Sequence, residues 1–296
     1  MRFAAVLCLA ACFIAAGCGG SSSAQEEPEA PTLEDLWRAP GEDVAIVPGA
    51  ADFGPGTVRL PFLVIDGEGR VVTRPTAKVW LARTLKEQPF AQTTARLEPI
   101  GVNGAEPGEP QEIFVAQLEL DEPGTYWVLA EPVGGRKIQA VGNVVVKTET
   151  AAPDVGATAI PSKTPTLANA TLEQLTTSTK PDRELYRSSV AEALAAKKPF
   201  VLVFATPKYC TSRTCGPVVD VVSDVRRMHE SSGIRFIHVE IYKDNDPTKG
   251  ENRWVREWKL PSEPWVFLVG SDGTIKARFE GTVSVDELDA AVAKLR

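Results

Sequence analysis

Phe200-Val201-Leu202-Val203-Phe204-Ala205-Thr206-Pro207-Lys208-Tyr209-Cys210-Thr211-Ser212-Arg213-Thr214-Cys215-Gly216-Pro217 is the stretch on which the fold turns. Its first five residues are apolar without interruption, as in a strand buried on both faces of a parallel sheet. A loop with two cysteines follows, four residues between them. Val218, Val222, Val225 and Met228 then recur at helical spacing, so a helix opens beside the second cysteine.

The same alternation extends outward. Upstream, Asp182 is placed to cap a helix running to about Ala196, with Leu185, Val190 and Leu194 on one face. Downstream, Ile234 to Tyr242 reads as a strand, and Trp254 and Trp258, four apart, as a short helix. Trp265 to Val269 and Thr274 to Glu280 read as strands joined at Ser271-Asp272-Gly273, a hairpin turn. Ser284 followed by Glu287 is a capping box for a last helix carrying Leu288, Val292 and Leu295. The order over 181–296 is α-β-α-β-α-β-β-α.

Residues 43–148 have a different rhythm. Val58, Leu60, Phe62 and Val64 alternate with their neighbours, as do Val79 with Leu81, and Phe114, Ala116, Leu118 and Leu120. Tyr126, Val128 and Ala130 follow, then Val144-Val145-Val146, with turn residues at Asp66-Gly67-Glu68-Gly69 and Asp121-Glu122-Pro123-Gly124. Six or seven strands without a helix predict an antiparallel β-sandwich. Residues 149–180, with Pro153, Pro161 and Pro165 among Thr, Ala and Ser, read as an interdomain linker with a helical turn near Leu172–Leu175.

The N-terminus reads as a targeting segment. Arg2 precedes an uncharged apolar run from Phe3 to Ala16, short for a spanning helix and suited to a signal peptide. Ala15-Ala16-Gly17-Cys18 resembles the bacterial lipobox, which implies acylation of Cys18 and a signal peptide over 1–18; Ala15 departs from the leucine most often found there. Residues 19–42, opening Gly-Gly-Ser-Ser-Ser, read as a disordered tether. The expected location is extracytoplasmic, anchored to the cell membrane by lipid, with simple secretion as the alternative. A net charge of −7 with no basic patch argues against nucleic acid as a partner. Export leaves Cys210 and Cys215 as the thiols of the mature chain, and such a pair in an oxidising compartment is most simply a disulfide.

Two family resemblances sharpen this. Gly124-Thr125-Tyr126 after an aspartate resembles the tyrosine corner of immunoglobulin-like sandwiches. Residues 182–296 resemble the thioredoxin fold, through Phe204 to Cys210 and through Trp258-Lys259-Leu260-Pro261-Ser262-Glu263-Pro264-Trp265, similar to that family's approach to its cis-proline. The resemblance implies that Pro264 is the cis-proline, that Cys210 and Cys215 are catalytic, and that Tyr209, Glu263, Pro264 and Trp265 lie on the substrate side. It implies thiol–disulfide exchange, with the thiols or disulfides of exported proteins as partners and no cofactor.

The chain departs from that family in three ways. Its cysteines are four residues apart rather than two, and Gly216-Pro217 follows the second, so either cysteine can be aligned with the family's nucleophile. Val201 to Phe204 lack the family's buried acid. Glu263 precedes the proline where a neutral residue is usual, a charge that opposes thiolate formation and that Lys208 and Arg213 stand to offset. The competing reading is a redox-inert binding or scaffold lipoprotein with a structural Cys210–Cys215 disulfide. A bridge over so short a loop stabilises by about 2 kcal/mol or less, a weak reason to put cysteines at a reactive position. A copper carrier ranks last. His229 falls toward the far end of the helix that begins at the cysteines and His238 in a central strand, so no metal site is expected.

Overall fold

The computed structural model describes residues 30–100, 111–134, 138–211 and 214–295. The expected signal peptide, Cys18 and most of the expected tether lie outside these residues, as do Ser212 and Arg213.

The tether's last residues are ordered. Helix α1 (Leu33–Arg38) starts at a capping box in which Thr32 and Asp35 each accept from the other's backbone. It places Leu33, wholly buried, against Ala82 and Leu129. Seven strands follow: β1 (Glu42–Pro48), β2 (Gly56–Asp66), β3 (Thr76–Ala82), β4 (Ala91–Pro99), β5 (Glu112–Leu120), β6 (Gly124–Pro132) and β7 (Ile138–Val146). They pair in the order β1-β2-β5-β4-β3-β6-β7, and a parallel β1–β7 ladder closes a barrel-like sheet. This is the strand order of an immunoglobulin-type domain, with the two sheets bridged by the β3–β4 ladder. The alternating residues of β2, β5 and β6 form its core, where Phe62 stacks on Phe114 at 5.4 Å. The tyrosine corner is formed: the Tyr126 hydroxyl donates to the Glu122 carbonyl at 2.7 Å, and Arg83 lies over the ring.

Residues 149–180 run along the C-terminal domain as an ordered strap. Thr158 bridges Thr274, and backbone bonds link Gly156, Ala157 and Ala159 to the neighbouring hairpin. Ala152 and Ala159 enter the core, and helix α2 (Leu172–Leu175) ends the strap with Leu175 buried.

The C-terminal sheet comprises β8 (Phe200–Phe204), β9 (Arg235–Val239), β10 (Trp265–Val269) and β11 (Ile275–Glu280), ordered β11-β10-β8-β9. β8 is central, parallel to β9 and antiparallel to β10. α3 (Val190–Ala195), α4 (Cys215–Met228), α5 (Arg253–Glu257) and α6 (Val285–Ala293) surround it. The helix expected from Asp182 to Ala196 is broken in two. Asp182 caps one 3₁₀ turn, Arg183–Tyr186, and Ser189 then opens α3 with its own capping box to Glu192. Val201 and Val203 face α4 and α6, whereas Phe200, Leu202 and Phe204 face Trp258 and α3.

The β-domain docks on the end of β11. Arg59 grips Glu287 of α6 with two bonds of 2.8 and 2.7 Å. Asp52, almost wholly buried, accepts from Lys147, from the amides of Ala151 and Ala152, and from Arg278. Gly281 has φ +75°, and a Cβ there would sit 2.3 Å from the Gly49 carbonyl oxygen, so this close approach admits only glycine.

Candidate functional site

Two elements bring the site together. The loop leaving β8 carries Tyr209 and Cys210 to the start of α4, whose first residue is Cys215. Across from it, the chain entering β10 makes a cis peptide between Glu263 and Pro264, as the sequence resemblance implies. The Cys210 sulfur, the Cys215 sulfur and a Glu263 carboxylate oxygen all lie within 4.8 Å of one another. Glu263 lies beyond α4, β9 and α5 in the chain, and the fold brings it back to the cysteines.

The two cysteines differ sharply. Cys215 is wholly buried, against Val218, Val222 and the β8 face. Cys210 is partly exposed and accepts a hydrogen bond from the Cys215 amide at 3.3 Å. The amide belongs to the first turn of a 14-residue helix, whose unpaired N–H groups and dipole favour negative charge. The two sulfurs are not bonded to each other in this structure. The Cys215 thiol is pushed far above its ordinary range, first by its hydrogen bond to the Cys210 sulfur, then by burial, by charge at Cys210 and by the Glu263 carboxylate; a bond from the Thr206 backbone opposes the shift. These causes favour the protonated form of Cys215 beside a negatively charged Cys210.

Glu263 is pushed up to about 7, mainly by burial, then by negative charge at Cys210, Glu240 and Glu251. Its Oε2 is buried and lacks a hydrogen-bond partner among the described residues. Tyr209 stands edge-on to Tyr242 at 6.3 Å, with the Lys208 ammonium 5.1 Å from its ring centroid. Tyr242 in turn is raised by burial and by the charges of Glu263 and both cysteines, which places its phenol at the rim of the same site.

Trp265, read from sequence as a substrate-side residue, is corrected by the structure. It is 1% exposed, stacks on Phe267 at 5.4 Å and donates to Ser262, on the sheet face opposite α4. A strand alternates its side chains, so the residue after the cis-proline turns its side chain away from the sulfurs.

Sequence reasoning missed Glu240. It follows β9 on the same side as Phe236 and His238, 6% exposed, and its Oε1 accepts from the Thr177 hydroxyl at 2.8 Å. The Thr177 oxygen also accepts from the Lys208 amide, so the strap braces the cysteine loop through this acid. An acidic residue at an inward position of an apolar strand was the available signal. His238 beneath it donates from Nε2 to the Ala205 carbonyl at 3.0 Å, which leaves Nδ1 to accept from the Tyr186 hydroxyl at 2.7 Å. Burial lowers its pKa, so it is neutral and fully engaged. His229 caps the far end of α4, bonded to Asp289 at 2.6 Å.

One comparison bears on the C-terminal domain. Residues 186–296 match the family described as thioredoxin-like domain, and with the sheet order, the cis-proline and the cysteine pair they define that stretch as a thioredoxin-like domain. Among solved structures, the chain is similar to a thiol:disulfide interchange protein of the thioredoxin family from Chlorobium tepidum TLS. That likeness has 13% identity over 33% of this chain and 80% of the other, with a TM-score of 0.26. No curated protein matches the chain.

Proposed function

We propose that this chain is a lipid-anchored, extracytoplasmic protein that exchanges thiols and disulfides with exported proteins, with Cys210 attacking and Cys215 resolving. The asymmetry of the pair carries the reading: one partly exposed sulfur receives a helix-terminal N–H, and one buried thiol is held protonated against it. In the reducing direction the Cys210 thiolate attacks a substrate disulfide, forming a mixed disulfide and releasing one substrate thiolate. Cys215 then gives up its proton and attacks the Cys210 sulfur. The second substrate thiolate leaves, two electrons have passed to the substrate, and Cys210–Cys215 is the disulfide. The reverse sequence oxidises a dithiol. The β-domain serves as a spacer or docking module between the anchor and this site.

In this reading Cys215→Ser traps a mixed disulfide through Cys210, detected on a non-reducing gel, while Cys210→Ser traps little. The opposite pattern would make Cys215 the nucleophile. A potential below about −300 mV, in the range of inert structural bridges, with no trapping by either variant, would leave the stapled scaffold as the function. The anchor rests on the Cys18 motif. A fatty-acid analogue should label the wild-type protein and spare Cys18→Ser, and unlabelled protein in the medium would mean simple secretion.

A further inference from the structure

Glu263 has no counterpart in the exchange chemistry just described, yet its carboxylate points at both sulfurs. The three donors come from two separate elements, the start of α4 with its preceding loop and the cis-proline turn, so the backbone fixes their approach before any ligand arrives. No pair of them is more than 4.8 Å apart. In a tetrahedral centre with metal–sulfur bonds of about 2.3 Å, two sulfurs stand about 3.8 Å apart, so the trio needs to close by no more than about 1 Å. The four-residue spacing of the cysteines falls within the range of chelating cysteine pairs. The Glu263 Oε2 atom, buried and without a hydrogen-bond partner among the described residues, is a donor that nothing else in the fold uses.

The geometry points to a second use of the reduced site: Cys210, Cys215 and Glu263 form a three-ligand seat for a thiophilic divalent cation of the zinc class, with a fourth position open toward solvent. Two thiolates select a soft or borderline ion over magnesium or calcium. The two thiolates match the cation's two positive charges, and the Glu263 carboxylate adds a third ligand that leaves the seat with one net negative charge. Binding releases the thiol protons and forms two metal–sulfur bonds and one metal–oxygen bond, with no change of oxidation state. It also occupies both sulfurs, so the metal-bound form cannot exchange disulfides. The inference goes beyond the exchange reading while using the same dithiol, and the two fail separately: the potential of metal-free protein tests exchange, and metal titration tests the seat.

The test is an anaerobic titration of the reduced full chain with Co²⁺, followed by displacement with Zn²⁺. We expect one equivalent to bind with thiolate-to-cobalt charge-transfer absorption and tetrahedral visible bands. Glu263→Gln should weaken binding by more than the roughly 100-fold that is the upper end for losing an outer-shell partner. Glu251→Gln, which removes an exposed charge that acts on Glu263 from a distance, should leave the affinity close to wild type. Equal affinity of wild type and Glu263→Gln, or an equal loss in both carboxylate variants, overturns the carboxylate as ligand. An octahedral cobalt spectrum without charge transfer overturns the seat. A second readout needs no variant: one equivalent of Zn²⁺ should block alkylation of both cysteines in the wild-type chain and a chelator should restore it. Alkylation at an unchanged rate with Zn²⁺ present overturns the proposal.

Discussion

Glu263 is the residue whose ionisation reaches furthest. Its folded-state pKa of about 7 lies above an ordinary value near 4.5, so the native state prefers the neutral acid. The stability this gives is fully present below pH 4.5 and is lost as pH rises to about 7. Glu263→Gln, which stays neutral, should lack that component. Melting temperatures of the reduced proteins should therefore converge near pH 4.5 and separate by pH 8, with the variant the more stable. Parallel curves would mean that Glu263 is not the group. Above pH 7 the ionised carboxylate also repels a thiolate at Cys210, so the variant should alkylate faster there, while Cys215 stays shielded by burial.

At the scale of elements, the strap between the domains is the part whose role sequence composition hides. Its prolines and small residues look like a linker, but small residues are also what fits against a packed hairpin. Ser162 shows how it is held: its hydroxyl donates to Glu257 at 2.7 Å and accepts from the buried Trp258 indole N–H at 3.1 Å. Ser162→Ala leaves that N–H without an acceptor and should cost about 1–3 kcal/mol, read as a lower unfolding midpoint in urea at unchanged slope. A neutral result would mean that the indole finds another acceptor. The same contrast explains what was legible elsewhere. The strand Phe200–Phe204, the hairpin at Asp272-Gly273, the capping box at Ser284 and the tyrosine corner are local patterns, and each forms as read. β4, Ala91-Gln92-Thr93-Thr94-Ala95-Arg96-Leu97-Glu98-Pro99, carries few apolar residues and owes its place to pairing with β3 and β5. Cys210, Cys215 and Pro264 could be found because they are motif residues, whereas Glu240 and the unfavourable side of Trp265 depend on strand register that spacing alone does not set.

For the whole molecule, the question is whether the β-domain merely hangs beside the thiols or acts on them, and Glu280 offers the means to ask. It ends β11 with both carboxylate oxygens in use. Oε2 accepts the amides of Ala51 and Asp52 from the β-domain at 2.9 and 2.7 Å, while Oε1 accepts the Ser262 hydroxyl at 2.7 Å, one residue before Glu263. The Gly281 amide adds a bond to the Pro264 carbonyl at 2.9 Å. One side chain thus ties the β-domain to the turn that aims the carboxylate at the sulfurs. Glu280→Ala removes three acceptor contacts at once and should destabilise the chain by about 1–3 kcal/mol, since the Ala51 donor can turn to water. Arg59→Ala breaks a different contact of the same interface, the paired bonds to Glu287, and should cost about 3–5 kcal/mol without touching the cis-proline turn. The two variants therefore separate stability from coupling. If the β-domain positions the site, amides 51 and 52 exchange faster with deuterium in Glu280→Ala, and Cys210 alkylation changes in that variant alone. If both variants, or neither, alter alkylation while both lower stability, the β-domain is bound to the thioredoxin-like domain but does not tune it.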